Sequence, residues 1–513
     1  MKTLKIKSLT SMLLLTAIIL GTGCTKFLDE EDPTNLTEDT YFTLPEHAEA
    51  GIAAAYAQTR FITNGAGIFV HNISLPEMLS GLARTETGQN SDLNNIIGLS
   101  YNGDNLLITQ WWNGLYSVIA QTNLVLARVP EITPMDEAAK KRILGQARFL
   151  RAWAYFYLVR MWGDVPLLTA PVNATSPELY AGRTTSDSVY NQIVADLTAA
   201  EASELPWTDN TGRASLGAVK SLLSKVYLTM AGFPMNKGVS HYQLAADKAN
   251  EVITSNSYQL FSDYGDLHSL ATENRGEHIF QIQYLGGVAD NPIQEELLPN
   301  FKDVSSYGTE VGSNVPVPGF VASYEAGDKR TVDRQGFYYT SYYDGGNGAL
   351  KPLGAPYIFK HFDIIANGTS GVPGTNVSSL NLMNIRYAEV LLIYAEAQNE
   401  AGGAPSQAAW NALNQVRERA DLTTPAPGTF NQDSFRKAVW RERWYELAYE
   451  YITWFDMLRL RKGYNIATKD FVDLVGYVFP DNGEVYEEKN LLLPLPTNEM
   501  RNNPNLRPNN FGY

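Results

Sequence analysis

The stretch Ala147-Arg148-Phe149-Leu150-Arg151-Ala152-Trp153-Ala154-Tyr155-Phe156-Tyr157-Leu158-Val159-Arg160-Met161-Trp162-Gly163-Asp164-Val165-Pro166-Leu167 decides how the chain reads. Over 149–159 it is apolar nearly all round, and a helix of that kind belongs in an interior. Working outward, apolar residues at helical spacing predict helices at about 44–61, 106–129, 136–162 and 186–202. Val219, Leu222, Leu223, Val226, Tyr227 and Met230 then share one helical face, with Phe233-Pro234 as a stop. Tyr242, Ala245, Ala246, Ala249, Val252 and Ile253 supply a partner face. Two short amphipathic helices joined by a tight turn, with alanines where they approach closely, are the unit of a tetratricopeptide-like repeat. Helices resume at about 384–401, 405–420 and 432–461. The expected fold is mainly α, a tetratricopeptide-like helical-repeat scaffold.

Between 255 and 379 the character changes. Ile279-Phe280-Gln281-Ile282-Gln283-Tyr284 alternates like a strand, and Gly286-Gly287, Gly345-Gly346, Gly348 and Gly371 with many prolines mark long loops. The expectation is an irregular excursion with short strands at 255–379, on the ligand side, between helical parts at 41–254 and 380–513 that together form one domain, 41–513. With 513 residues and 44% hydrophobic content the chain can bury a large core.

At the start, Lys2, Lys5 and Lys7 precede the apolar run Met12-Leu13-Leu14-Leu15-Thr16-Ala17-Ile18-Ile19-Leu20, which leads into Gly21-Thr22-Gly23-Cys24. This reads as a signal peptide over 1–23, its apolar run shorter than the roughly 20 residues that cross a bilayer. Cys24 is the only cysteine, so disulfides within a monomer are excluded and lipidation is its expected use. Several acyl chains, at about 0.8 kcal/mol per buried methylene, make a stable membrane anchor. Residues 24–40, with Asp29-Glu30-Glu31-Asp32, read as a solvated linker, and no later segment offers a membrane span. The formal charge of −15, taken to −18 by loss of the three leader lysines, argues against nucleic acid or anionic lipid as a partner.

Gly21-Thr22-Gly23-Cys24 resembles a bacterial lipobox, departing at Gly21 from the usual leucine-like residue. The acidic stretch after it resembles the export signal that sends Bacteroidetes lipoproteins to the cell surface. Four longer segments resemble the SusD/RagB-like family. They are 147–167, quoted above; 385–397, Ile385-Arg386-Tyr387-Ala388-Glu389 through Glu396-Ala397; 442–456, Glu442-Arg443-Trp444-Tyr445-Glu446-Leu447-Ala448-Tyr449-Glu450 and then Trp454-Phe455-Asp456; and the end, Leu493-Pro494-Leu495-Pro496 through Asn503-Pro504-Asn505-Leu506 to Gly512-Tyr513. The third lacks the usual glycine and arginine, with Tyr451 and Thr453 in their places, and the fourth lacks a usual glutamine. The resemblance implies a surface-exposed, outer-membrane lipoprotein that captures glycans on its loops and acts as a lid over a SusC-like TonB-dependent outer-membrane transporter. A peptide- or glycopeptide-binding uptake lipoprotein of the RagB type is the alternative.

Arg148, Arg151, Arg386, Glu389, Glu396, Glu446, Glu450 and Asp456 sit on otherwise apolar helices, which suits buried ion pairs that fix helix register rather than catalysis. Paired carboxylates, the glycosidase requirement, are uninformative in an acidic chain. The six histidines form no His-Glu-x-x-His motif, and there is no Gly-x-Ser-x-Gly elbow, phosphate loop or Rossmann fingerprint. No enzyme, metal site or cofactor is expected. Sugar capture pairs aromatic rings with amides, carboxylates or guanidinium groups, and most tryptophans fall in predicted helices; only Trp207 sits in a loop. Candidate ligand contacts are therefore Tyr338, Tyr339, Tyr342 and Tyr343 as an exposed stacking cluster, then Tyr101, Asn102 and Asp104, with Arg84 and Tyr307 as further candidates.

Overall fold

The computed structural model describes residues 41–66, 70–88, 90–300, 312–343, 349–363 and 378–513; Cys24 and Tyr307 lie outside them. The ten longest helices among the described residues are α1 (Pro45–Gln58), α2 (Leu106–Arg128), α3 (Glu137–Trp162), α4 (Ser186–Glu201), α5 (Leu216–Ala231), α6 (Val239–Thr254), α7 (Tyr387–Gly402), α8 (Gln407–Arg419), α9 (Gln432–Glu446) and α10 (Thr453–Leu460). Side-chain caps start several of them: Asn105 accepts from the amides of Leu107 and Ile108, Ser215 from Ala218, and Asn431 from Ser434.

Helix α3 is the axis of the core. Every side chain from Phe149 to Trp162 is buried, as its apolar circumference requires. Successive helices lie against one another from α1 to α6, and α6 then packs on α7, although 132 residues separate the end of one from the start of the other in the numbering. The helical array therefore continues across the excursion, with α8 and α9 both packing on α7. Close approach is built in by small residues: a Cβ at Gly114 on α2 would fall 2.2 Å from the ring of Phe61.

Two boundaries differ from expectation. The segment 382–386 is a strand, β6 (Leu382–Arg386), antiparallel to β2 (His278–Ile282), so α7 begins only at Tyr387. The helix expected over 432–461 is broken between α9 and α10, where Tyr449 and Tyr451 adopt φ of +62° and +49°. Left-handed backbone interrupts a helix and costs a non-glycine residue free energy.

The excursion carries short antiparallel pairs. β1 (Ala83–Arg84) joins β3 (Val315–Pro316), and β4 (Tyr338–Tyr343) joins β5 (Leu350–Ile358). Near the end of the chain, β7 (Lys462–Asn465) joins β8 (Asp470–Asp473). No helix among the described residues is long and apolar enough to cross a membrane.

Candidate functional site

The tyrosine cluster is not an exposed platform. Tyr338, Tyr339 and Tyr342 are all buried, although Thr340 on β4 and 350–352 on β5 face solvent. Tyr338 faces the main core, where its hydroxyl donates to that of Tyr324 at 3.1 Å and its ring meets Tyr449 edge-on. Tyr339 and Tyr342 enter a second, smaller cluster with Leu298, Val315, Leu353, Tyr357, Phe359 and Phe362. A register irregularity between Tyr339 and Ser341 brings these two to one side despite their odd spacing. Tyr343 ends the strand, and its side chain lies outside the described set.

Arg84 is linked to the segment before the 101–104 loop through Asp481 and Asn482. Arg84, about a quarter exposed, lies 3.8 Å from Glu86 and 3.9 Å from Asp481. The neighbouring Asn482 donates to the carbonyl of Ile97 at 2.9 Å, joining this group to the segment that leads into Tyr101. Glu86 holds the excursion here: its carboxylate accepts from the Tyr357 hydroxyl at 2.9 Å and from the Asn300 amide at 3.0 Å. Burial first, and then Glu86, push the Tyr357 phenol pKa up, so it stays a neutral donor.

Tyr101 also departs from expectation. Only 4% exposed, it stacks on Tyr513 with centroids 6.0 Å apart and accepts from Asn490 at 3.2 Å. Asn102 and Asp104 stay exposed, on a turn held by the Asp104 amide donating to Asn102 Oδ1 at 2.9 Å. They border a hollow of about 370 Å³ that also has Lys489, Thr497 and Asn509 on its walls. A Cβ at Gly103 would fall 2.5 Å from the carbonyl of Leu495, so the turn can lie this close to the C-terminal segment only with glycine there.

Sequence reasoning missed Glu86, Tyr357, Asp481 and Lys489, whose partners are far away in the chain and which carry no local signal. It also missed a larger hollow of about 750 Å³ beside α2, where the half-buried Tyr116 and the exposed Tyr180 stand near Asn113, Asn502, Asn503 and Glu499. Rings, amides and the carboxylates of Glu178 and Glu499 around an open concavity can meet both the apolar faces and the hydroxyl edges of a sugar. Among the described residues no group of three or more His, Cys, Asp or Glu could hold a metal ion.

Two family models together span most of the chain: one described as starch-binding, associating with the outer membrane, matches 26–228, and one described as the SusD family matches 277–513. The crystal structure of a SusD superfamily protein from Parabacteroides distasonis is 37% identical, with a TM-score of 0.86 over 93% of this chain and 100% of that one. The chain belongs to the SusD superfamily. A SusD-like protein, P2, of Formosa agariphila is 29% identical over 98% of each chain. A laminarin-binding SusD-like protein shares the fold, at 24% identity and a TM-score of 0.72 over 92% of this chain and all of its own.

Membership explains the charged motif residues. Arg386 donates to Glu277 and Glu446 at 2.7 Å each and to both oxygens of Glu450. Arg151 grips Asp196 at 2.6 and 2.8 Å, and Asp456 bridges Arg443 and Arg459. Burial opposes ionisation of Glu446 and Glu450, but Arg419 and Arg386 on the first, and Arg386 and Lys360 on the second, outweigh it and hold both at about 2. These SusD-type motifs are ion pairs in the interior. The place where the superfamily usually has glycine is Tyr451, whose positive φ is the conformation glycine adopts freely. Here the side chain compensates: its hydroxyl donates to the Met383 carbonyl, while the backbone amide donates to the buried carboxyl group of Glu77, whose pKa burial raises to about 8.

Proposed function

We propose that this chain captures oligo- or polysaccharide at the cell surface, held to the outer membrane by lipid on Cys24, and passes it to a SusC-like TonB-dependent transporter without turning it over. The observation that carries this reading is membership of the SusD superfamily over nearly the whole length, through a model described as starch-binding and associating with the outer membrane. The laminarin-binding protein of the same fold supports a glycan as ligand. The helical array supports a further part of the reading, that 41–513 works as one domain, since α6 packs directly on α7; a single cooperative melting transition is its expected sign.

Arg84, Asn102 and Asp104 are retained as proposed glycan contacts, because they alone of the sequence candidates that are described here keep solvent-facing polar groups. Tyr180 is added as a stacking ring at the larger hollow. The test is isothermal titration of the mature protein against a panel of soluble polysaccharides that includes laminarin and starch, with product analysis after long incubation. Binding of one polymer, weakened in the Asn102→Ala, Asp104→Ala double variant, is expected, with no release of shorter sugars. Failure to bind any of the panel, or chain shortening by the pure protein, would overturn the reading. For the anchor, Cys24→Ser should abolish incorporation of labelled lipid and leave the protein out of the membrane fraction; a variant still recovered with membranes and labelled lipid refutes it.

A further inference from the structure

A cavity of about 380 Å³ lies where the ends of α3 and α10 meet the α5–α6 turn and the C-terminal segment. Five cations line it, Arg160, Arg183, Arg459, Arg461 and Lys489, against two carboxylates, Asp164 and Glu488, in a chain whose net charge is −15. Two of the cations are neutralised: Arg459 by Glu396 and Asp456, and Lys489 by Glu487 at 2.8 Å. Among the described residues the other three have no carboxylate within 4 Å.

Each is held in place without being neutralised. Arg160 is only 9% exposed; its guanidinium sits 3.8 Å from the ring centres of both Phe156 and Phe455, and Nε donates to the carbonyl of Phe156 at 2.8 Å. Arg183 donates only to neutral acceptors, the carbonyls of Asp164, Pro508 and Trp162 and the side chain of Asn510. Arg461 lies over the ring of Phe233 at 5.6 Å. Desolvation lowers the pKa of all three and outweighs the opposing pull of Glu389 and Asp456 on Arg160 and of Asp164 on Arg183. The remaining wall mixes apolar side chains with Ser186, Tyr190, Thr229 and Asn510, and Phe233 and Phe511 stand exposed at the cavity. Arg160 is buried, where an unpaired guanidinium is costly, Arg183 and Arg461 are half-buried, and an oxyanion is the species their planar donor fork matches.

We propose that this cavity is a binding site for an acidic sugar unit, its carboxylate taken by Arg160 and Arg461 and its apolar ring face laid against Phe233 and Phe511. The choice of a sugar as the carrier of the anion rests on the glycan-capture reading; the anion itself does not. Lys489 also lines the hollow beside Asn102 and Asp104, so the acidic unit would sit next to that candidate contact surface.

The test is titration of the full mature chain at low salt with D-glucuronate, D-galacturonate, D-glucose and sodium sulfate, alongside the neutral polysaccharide panel. Saturable binding of a uronate but not of glucose is expected. Arg461→Gln should weaken it at least about ten-fold, the scale of losing one hydrogen bond to a charged group, with the melting temperature unchanged; Phe511→Ala should weaken it less. No uronate binding, equal binding of glucose, binding of sulfate alone, or unchanged affinity in both variants would each overturn the assignment. Capture of a neutral polymer without uronate binding sinks this site and leaves the glycan reading standing.

Discussion

Tyr339→Ala separates a ligand-stacking tyrosine from a core one. Tyr339 is 2% exposed, its hydroxyl donates to the carbonyl of Leu297 at 2.9 Å, and its ring lies 5.4 to 6.1 Å from those of Phe362, Tyr357 and Phe359. Truncating a buried aromatic costs about 3–5 kcal/mol, and stranding the Leu297 carbonyl adds roughly 1 kcal/mol or more. A mature chain of about 490 residues has an unfolding entropy near 1 kcal/mol/K at about 2.1 cal/mol/K per residue, so the melting temperature should fall by about 4–6 °C. Tyr339→Phe, which removes only the hydroxyl, should lower it by about 1–2 °C. Because the ring belongs to the smaller cluster, local opening should exceed global loss. Calorimetry with hydrogen exchange on β5 measures both, and titration with the captured glycan on the folded fraction completes the assay. An unshifted melting temperature and unchanged β5 protection together with lost binding would refute the assignment to the core and restore the stacking platform.

Acid should unfold the protein through its buried carboxylates. Glu446 and Glu450 have folded-state pKa values held at about 2, below the ordinary 4.5, so their contribution is present in full above pH 4.5 and is lost as pH falls toward 2; denaturant midpoints that stay flat from pH 5 to 2.5 would contradict this. Arg386→Met takes one cation from each of three carboxylates, leaving Glu277 to Arg419, Glu446 to Arg419 and Arg330, and Glu450 to Lys360, and should cost about 3–5 kcal/mol, with the acid transition moved to higher pH; an equally stable variant would show that the network carries no such dependence. Tyr451→Gly relieves left-handed strain of about 1–2 kcal/mol but removes a buried ring worth about 3–5 kcal/mol, so net destabilisation is expected, and a higher melting temperature would mean that strain dominates.

Much of the scaffold was legible because its signals are local. The apolar run of 149–159, the alanines of α6 and the caps at Asn105 and Asn431 announce helices within a few residues of themselves, and all seven helices predicted with bounds start within three residues of their observed starts. The break at 447–452 was not legible, because two tyrosines in left-handed backbone disguise a turn that glycine would have marked. The tyrosine cluster misled for a related reason. Alternation in a strand indicates two faces but not what covers each, and the cover over Tyr339 comes from Leu298, Phe359 and Phe362, in other segments. Arg84 and Asn102 could be named as polar groups in loops, whereas Asp481 and Lys489 reach the same surfaces from nearly 400 residues away.

The buried charges show how a loop-rich excursion can serve a binding protein. Glu277, Arg330 and Lys360 come from the excursion, and their partners come from the helical part that follows: Arg386 and Arg419 for Glu277, Glu442 and Glu446 for Arg330, Glu450 for Lys360. Lys360 also donates to the carbonyls of Glu446 and Ala448 at 2.7 and 3.0 Å, at the point where α9 ends and the left-handed turn begins. Apolar contact is non-directional and tolerates sliding, whereas a buried ion pair is satisfied in one register only and adds little net stability over an apolar substitute. Charges placed on this seam therefore fix where the excursion sits on the helices. A surface that includes Arg84 and Glu86, with the buried Tyr357 hydroxyl donating to Glu86 from beneath, can then be presented in one geometry.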